Sequence, residues 1–181
     1  TADEGVEWVR DHASECLAVG EIGLDGYWVP EALWDAQEQV FRRLVAVAMD
    51  FAKPIIIHTR KREKRALEIL REMGPKRVVW HCFGGKVSLA RTIADEPGHY
   101  LSIPANARRS ESFTRMLETL PKDRVLLETD CPYLGPDRDA TNEPANVAIT
   151  AAFAAELWGT SIEDVTARMA GTFEAVFGVA P

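Results

Sequence analysis

The chain has 181 residues, of which 46% are hydrophobic and 27% are charged, and this composition predicts one globular domain over residues 1–181 with a single core. A formal net charge of −7 gives no basic footprint for nucleic acid and argues against tight nonspecific binding of DNA. It leaves metal-dependent nucleases open, because bound metal ions supply local positive charge. Three cysteines without zinc-finger spacing, no apolar stretch of about 20 residues and no visible signal peptide predict a cytoplasmic protein that does not enter a membrane. No feature of the sequence indicates a protein partner.

Predicted helices and strands alternate along the whole chain. Apolar residues at helical spacing predict the helices, and short apolar runs predict five strands. The predicted strands cover residues 17–23, 55–57, 78–80, 100–103 and 125–128. The predicted helices cover residues 3–15, 30–51, 61–73, 86–95, 110–120, 144–158 and 161–177.

This alternation predicts an α/β fold with a parallel sheet. A closed eight-stranded barrel needs about 200 residues or more. The five predicted strands therefore suit either roughly five-eighths of a TIM-type β/α barrel or an open sheet.

Local signals support two of the helices. Residues 161–177 open with Ser161 and carry Asp164 at the third helical position, which is typical of a capping box. Residues 30–51 carry an apolar stripe that is expected to be buried. The residues of this stripe are Leu33, Val40, Leu44 and Val47.

Four of the apolar runs lead into a side chain that can bind a metal ion. These side chains are Glu21, His58, His81 and Asp130. The strand ends of a parallel barrel share one face, and active sites are built there, so these residues are expected to converge although they lie far apart in sequence. The pattern favours a metal-dependent hydrolase.

Each of the four residues also has a simpler interpretation. Glu21 suits an exposed edge strand, each histidine suits a hydrogen-bonded core position, and Asp130 suits the cap of a turn. Two features favour a site instead. Glycines flank Glu21, as a close approach of two backbones requires, and two histidines at equivalent strand ends are poorly explained by coincidence.

One further acid and two further histidines lie outside this set of four. Glu128 lies on the same side of its strand as Asp130 by the period of two. This position predicts either a partner of a metal ligand or a buried acid beneath the site. His12 and His99 follow no such pattern and are predicted to lie at the surface.

The expected mouth of the barrel carries cations and aromatic rings. Arginine or lysine can hold phosphate oxygens, and an aromatic ring can stack on a nucleobase. Arg60, Trp28 and Tyr27 are therefore the candidate substrate-binding residues. Other polar residues expected near the mouth are Asp25, Lys61, Arg108, Arg109 and Arg138.

Four ordered motifs together resemble the TatD family of metal-dependent deoxyribonucleases. They begin at Glu21 (EIGLD), Ile57 (IHTR), His81 (HCFGG) and Leu127 (LETDCPYL). Residues 142–144 (NEP) and the terminal Phe-Gly pair also fit, so the resemblance covers residues 19–178. Any one motif is weak, whereas four in order with matching spacing are specific.

The resemblance implies a TIM-type barrel of the amidohydrolase kind that cleaves phosphodiester bonds of DNA by a metal-activated water. It implies two divalent metal ions, with Glu21 bridging both, His58 and His81 completing one site, and Asp130 binding the other ion. Asp130 and Glu21 are the implied catalytic residues, and Asp130 is the residue that orients or deprotonates the attacking water. Mixed carboxylate and imidazole ligands suit Mg²⁺, Mn²⁺ or Zn²⁺.

The chain departs from the family pattern at its beginning. The family opens with a His-x-His pair at the end of its first strand, and three strands precede the strand that bears the glutamate. Neither feature is present here, so we expect a partial barrel with poor or no nuclease activity from this chain alone. The chain is then either a fragment of a normal barrel or a short protein that completes its sheet by self-association.

Two other functions stay open on the sequence. The same activated water serves an esterase, a lactonase or a deacylase, including one that acts on D-aminoacyl-tRNA. The missing His-x-His pair also suits a non-catalytic binding or scaffold domain that has lost its first metal site.

Overall fold

Helices and strands alternate in the computed structural model, which describes residues 1–181. The strands are β1 (Val19–Asp25), β2 (Ile55–Arg60), β3 (Val78–Trp80), β4 (His99–Ile103) and β5 (Val125–Leu127). The helices are α1 (Ala2–His12), α2 (Trp34–Asp50), α3 (Glu63–Met73), α4 (Val87–Ala94), α5 (Glu111–Thr119), α6 (Val147–Trp158) and α7 (Ile162–Phe177). None of these helices combines the length and the apolar content that a bilayer crossing requires.

The five strands form one parallel sheet in chain order. Each strand pairs with the next one along the sequence, from β1 to β5. A doubly wound sheet reverses its strand order partway, and this sheet does not. Sequential right-handed crossovers place the helices on one face and leave the other face as the wall of a barrel interior. The sheet is therefore wound as part of a β/α barrel.

Strand residues alternate between the helix-covered face and the barrel face. In β2, the side chains of Ile55 and Ile57 are fully buried, whereas His58 and Arg60 are exposed. The period of two places these exposed side chains on the face away from the helices. The main core thus lies between the sheet and the helices, and polar groups occupy the carboxyl end of the barrel face.

A smaller apolar cluster covers the lower part of the barrel face. Val79 of β3 and Tyr100 of β4 pack with Val176, which lies near the end of α7 and is fully buried. The last turn of α7 therefore covers this part of the sheet. The predicted site residues lie beyond it, toward the carboxyl ends of the strands.

The first strand begins later than predicted. β1 covers Val19–Asp25 rather than residues 17–23, and Leu17 is exposed. Glu21, the fifth residue of the predicted strand, is consequently the third residue of β1 and lies farther from its carboxyl end. The pairing of β1 with β2 shifts between Val19 and Ile22, as in a β-bulge, and such a shift re-aims the side chains beside it.

The two local helix predictions have different outcomes. Ser161 accepts a hydrogen bond from the backbone N–H of Asp164, and the Asp164 side chain accepts one from the backbone N–H of Ser161, so the capping box is confirmed. The predicted stripe of the long helix is wrong at Leu33, which precedes α2 and is exposed. The rest of the stripe is buried or partly buried, and Phe41 and Val45 add to it.

Candidate metal centre

His81 lies at the centre of the candidate site, directly after β3. Its Nε2 atom lies 3.1 Å from Oδ1 of Asp130 and 3.4 Å from Oε1 of Glu21. The ring centroids of His81 and His58 are 6.0 Å apart. The four predicted ligands therefore meet, although β1, β2, β3 and the segment after β5 each contribute one of them.

The donor atoms of this cluster suit a divalent cation. The ligand atoms of Glu21, His58 and His81 all lie within 4.8 Å of one another. Asp130 is outside this group of three and reaches it through His81. Together with Glu128, the carboxylates outnumber the imidazoles, and a divalent metal ion would neutralise the excess negative charge.

Glu128 contacts the far side of the His81 ring. Its Oε2 atom lies 2.5 Å from Nδ1 of His81, so the ring presents Nε2 to the cluster. The other carboxylate oxygen, Oε1, is buried without a hydrogen-bond partner. Glu128 therefore lies where one of its two predicted roles, the partner of a metal ligand, requires it. The period of two does not account for this placement, because β5 ends at Leu127 and both Glu128 and Asp130 follow it.

The surrounding carboxylates favour the protonated form of His81. Burial lowers the pKa of this ring, but the hydrogen bond with Glu128 and the charges of Glu128, Glu21 and Asp130 outweigh burial and raise the pKa to about 9. Its proton neutralises part of the negative charge of the cluster. A metal ion that binds Nε2 must displace this proton, so metal binding is coupled to proton release.

Two glycines allow β1 and β2 to approach each other beside the site. A Cβ atom at Gly23 would lie 1.8 Å from the carbonyl oxygen of His58, and one at Gly20 would lie 2.7 Å from the carbonyl oxygen of Ile56. Any larger residue would push the two strands apart. The prediction that the glycines around Glu21 serve a close backbone approach is confirmed.

Asn142 holds the loop that carries Asp130. Its buried side chain donates through Nδ2 to the carbonyl oxygens of Thr129, at 2.6 Å, and Tyr133, at 2.5 Å. Asp130 adopts a φ of 58°, a left-handed conformation that surrounding contacts must maintain. Sequence reasoning missed this positioning role, and the NEP motif was the available signal.

The three candidate substrate-binding residues lie together at the mouth of the site. Oδ1 of Asp25 accepts hydrogen bonds of 2.6 Å from the backbone N–H groups of both Tyr27 and Trp28, which fixes the turn that presents their rings. Tyr27 is 48% exposed and Trp28 is 73% exposed. The guanidinium of Arg60 lies 3.9 Å from the centroid of the Tyr27 ring.

Two arginines expected near the mouth contact other groups instead. Arg108 forms an ion pair with Glu156 of α6. Arg109 donates through Nη2 to the carbonyl oxygen of Gly135 at 2.6 Å, and this bond holds the loop after β5. Both guanidinium groups are therefore engaged by other groups of the chain.

The predicted surface position is confirmed for His12 and is wrong for His99. His12 is half-buried at the surface of α1, where its ring stacks on Trp8. His99 is 5% exposed, because it begins β4, whose residues are all buried. The indole N–H of Trp80 donates to Nδ1 of His99 at 3.2 Å, and burial lowers the pKa of His99 to about 4.

Comparisons with known proteins agree with this fold. The family model for TatD related DNases matches residues 2–178. The chain is 34% identical over 166 residues to the putative deoxyribonuclease TATDN3 of Mus musculus, and the match covers 90% of this chain and 56% of that protein. It is also 34% identical over 171 residues to the uncharacterized metal-dependent hydrolase YabD of Bacillus subtilis, covering 90% of this chain and 66% of that protein.

A solved structure shows the same architecture. The crystal structure of YJJV, a TatD homologue from Escherichia coli, matches with a TM-score of 0.87 at 23% sequence identity, and the match covers 98% of this chain and 71% of that chain. The prediction of a partial TIM-type β/α barrel is thereby confirmed. The chain spans between 56% and 66% of the length of these two curated relatives, TATDN3 and YabD. From the family match and these identities, the chain belongs to the TatD-related DNase family of metal-dependent hydrolases.

Proposed function

We propose that this chain carries a large part of the centre of a hydrolase that cleaves phosphodiester bonds of DNA. The observation that supports the proposal is the convergence of Glu21, His58, His81 and Asp130 in one cluster. Deoxyribonuclease is also the activity named for the TATDN3 relative. A non-catalytic scaffold would not need a hydrogen bond that orients the ring of a metal ligand, such as the bond between Glu128 and His81.

Two divalent metal ions are the proposed cofactors, drawn from Mg²⁺, Mn²⁺ and Zn²⁺. Glu21, His58 and His81 would hold one ion, and Glu21 and Asp130 would contribute to the other. When bound, such ions lower the pKa of water and polarise a phosphoryl oxygen.

The side chains of this chain have separate tasks in the proposed reaction. Glu128 keeps Nε2 of His81 directed at the cluster. Asp130 takes the proton of the attacking water on its carboxylate. Arg60 holds a phosphate oxygen, and the exposed rings of Tyr27 and Trp28 stack on bases that flank the scissile bond.

The mouth of the site favours DNA over a small ester. Recognition of a polynucleotide requires cations for phosphates and flat surfaces for bases, and Arg60, Tyr27 and Trp28 supply both within one cluster. A small ester needs neither.

Three free cysteines favour a reducing compartment, so the cytoplasm is the proposed location.

The proposed activity of this chain alone is slow. Of its four histidines, His12 lies on α1 and His99 is buried in β4, which leaves His58 and His81 for the metals. These two histidines and Glu21 complete one metal site, whereas the second ion has only carboxylate ligands. We therefore expect tight binding of one ion and weak binding of the other.

The test is hydrolysis of a fluorescently labelled oligodeoxynucleotide and of a nitrophenyl ester by the purified chain in Mn²⁺. We expect slow, metal-dependent DNA cleavage that exceeds ester turnover, is abolished in His58→Ala and is retained in His12→Ala. Cleavage that persists in His58→Ala contradicts the proposed site. Faster turnover of the ester than of DNA contradicts the proposed substrate.

A further inference from the structure

A basic groove of about 830 Å³ lies between the amino ends of α3 and α4. Its lining contains five basic residues and one acidic residue, Glu63, although the whole chain has a net charge of −7. Local positive charge in a concave surface attracts polyanions even when the whole protein is acidic. The basic residues of the groove are Lys61, Arg62, Lys64, Arg65 and Lys86.

Three of these basic side chains are free to meet a ligand. Lys61, Lys64 and Lys86 are exposed and take part in none of the ion pairs of the structure. Arg62 and Arg65 instead pair with Glu38, so they form the wall of the groove. The free positive charge of the groove therefore comes from its lysines.

The groove is continuous with the candidate metal centre. Lys61 directly follows β2, which bears His58, and its Nζ atom lies 4.8 Å from the centroid of the Tyr27 ring. The opposite wall includes Gly84, in the loop that follows His81. A chain of phosphates that leaves the metal centre past Tyr27 would therefore enter the groove.

Backbone amides and a buried guanidinium add to the positive potential. The N-cap residues of α3 and α4, Arg62 and Lys86, make no side-chain capping hydrogen bond, so amides of both first turns remain available to an anion. The Arg62 side chain is 9% exposed, and its Nη1 atom is buried without a partner. Its guanidinium lies 4.4 Å from the centroid of the Trp34 ring, which fixes it in the wall.

We propose that this groove binds the phosphates of a single DNA strand that continues from the metal centre. The inference rests on the proposed function, because it assigns the path of the same substrate. A single strand is favoured because the exposed Tyr27 and Trp28 rings lie at the entrance, and only unpaired bases can stack on them. Lys61, Lys64 and Lys86 would contact successive phosphates.

The experiment measures binding without hydrolysis. The full chain is titrated in EDTA into a labelled oligothymidylate of about 20 nucleotides, and fluorescence anisotropy is recorded over a range of salt concentrations. We expect K64E/K86E to weaken binding at least about tenfold and to reduce the salt slope by about 1.4, the value for two lost single-strand phosphate contacts. K64Q/K86Q should show a smaller loss in the same direction.

The matched control is K76E/K122E, which makes the same charge change at two exposed lysines near the amino ends of β3 and β5. This variant should bind as tightly as the wild type, apart from a small effect of net charge. Thermal unfolding of every variant checks that it is folded. A duplex of the same length should bind more weakly than the single strand.

The inference is overturned if the wild type does not bind the oligonucleotide, or if the groove and control variants bind it equally. Equal binding of duplex and single strand overturns the assignment to a single strand. The proposed function is tested separately, by metal-dependent hydrolysis with the wild type. Groove-dependent binding sustains the inference whatever the hydrolysis assay shows, and cleavage that persists in His58→Ala would contradict only the proposed function.

Discussion

At the residue scale, the candidate centre depends on the two nitrogens of His81. Nδ1 faces Glu128, and Nε2 faces Asp130 and Glu21. The period of two predicted a shared side for Glu128 and Asp130, but β5 ends at Leu127, so the loop after the strand sets their positions. Which nitrogen of His81 Glu128 contacts depends on the rotation of the His81 ring. That rotation is set by residues that are far apart in sequence, so the sequence around His81 does not predict it.

Glu128→Gln is expected to weaken metal binding by about 10- to 100-fold. The substitution preserves the size of the side chain but removes the charge that holds the His81 ring and increases its basicity. Calorimetric titration with Mn²⁺ measures the effect. Glu118→Gln, at an exposed position of α5, is the control, and equal affinities in the two variants would contradict the role of Glu128.

His99 shows why burial of a single polar residue is hard to predict. A histidine that follows a glycine and precedes a short apolar run resembles a loop residue in sequence. Its burial arises from the tertiary packing of β4, whose five residues are all buried. The indole of Trp80 then satisfies one of its ring nitrogens.

Acid is expected to destabilise the chain through His99. Its folded pKa, about 4, lies below the usual value of 6.5, so the unfolded chain binds this proton more readily than the folded chain. The folded chain therefore has its full stability with respect to His99 above pH 6.5. As the pH falls from 6.5 toward 4, protonation of His99 in the unfolded chain lowers the free energy of unfolding by about 3 kcal/mol. Urea unfolding between pH 7 and about 4 measures the loss.

His99→Gln should flatten this pH dependence, because glutamine does not titrate. His12→Gln, at a half-buried position on the surface of α1, should leave it unchanged. Parallel stability profiles for the wild type and His99→Gln would show that His99 does not cause the acid destabilisation.

At the scale of elements, the sequence predicted the number and order of the strands but not the start of β1. β-branched runs such as Ile55–Ile57 identify buried strands directly. The β1 segment contains two glycines and a glutamate, and its register shift between Val19 and Ile22 depends on the pairing with β2. Such a shift is a property of the pair and not of either strand.

Gly23→Ala is expected to destabilise the chain by about 3 kcal/mol or more, because the new Cβ atom would lie 1.8 Å from the carbonyl oxygen of His58. The two strands would have to separate beside the candidate centre. Gly171→Ala, in α7, is the control, since nothing lies within 4 Å of its Cβ position and alanine favours helix by about 1 kcal/mol. Thermal unfolding that shows equal effects of both substitutions would contradict the close approach.

The loop after β5 depends on a residue outside the predicted ligand set. Asn142→Ala removes the donor to the carbonyl oxygens of Thr129 and Tyr133, and we expect a loss of about 2–4 kcal/mol together with weaker metal binding through Asp130. Thermal unfolding and Mn²⁺ titration measure the two effects. Thr141→Ala, at the exposed neighbouring position, should change neither. An unchanged metal affinity in Asn142→Ala would limit its role to stability.

At the scale of the whole molecule, the sheet ends in two unpaired edge strands, β1 and β5. An apolar hollow of about 350 Å³ lies beside β1 and α1, and another of about 410 Å³ lies beside β5, α6 and α7. The alternation of elements predicted this partial barrel. The basic groove was not predictable, because its lysines come from two helices that only the fold brings together.

Metal titration shows whether residues from separate strands form one metal centre. Calorimetry with Mn²⁺ should show one tightly bound ion in the wild type. Loss of the Glu128 carboxylate, a partner of a ligand, is expected to weaken metal binding by about 10- to 100-fold. Glu21→Gln and His58→Ala each remove a ligand, so each should weaken the binding by more than that. His12→Ala should bind the metal as the wild type does. Tight binding that survives both Glu21→Gln and His58→Ala would contradict the account.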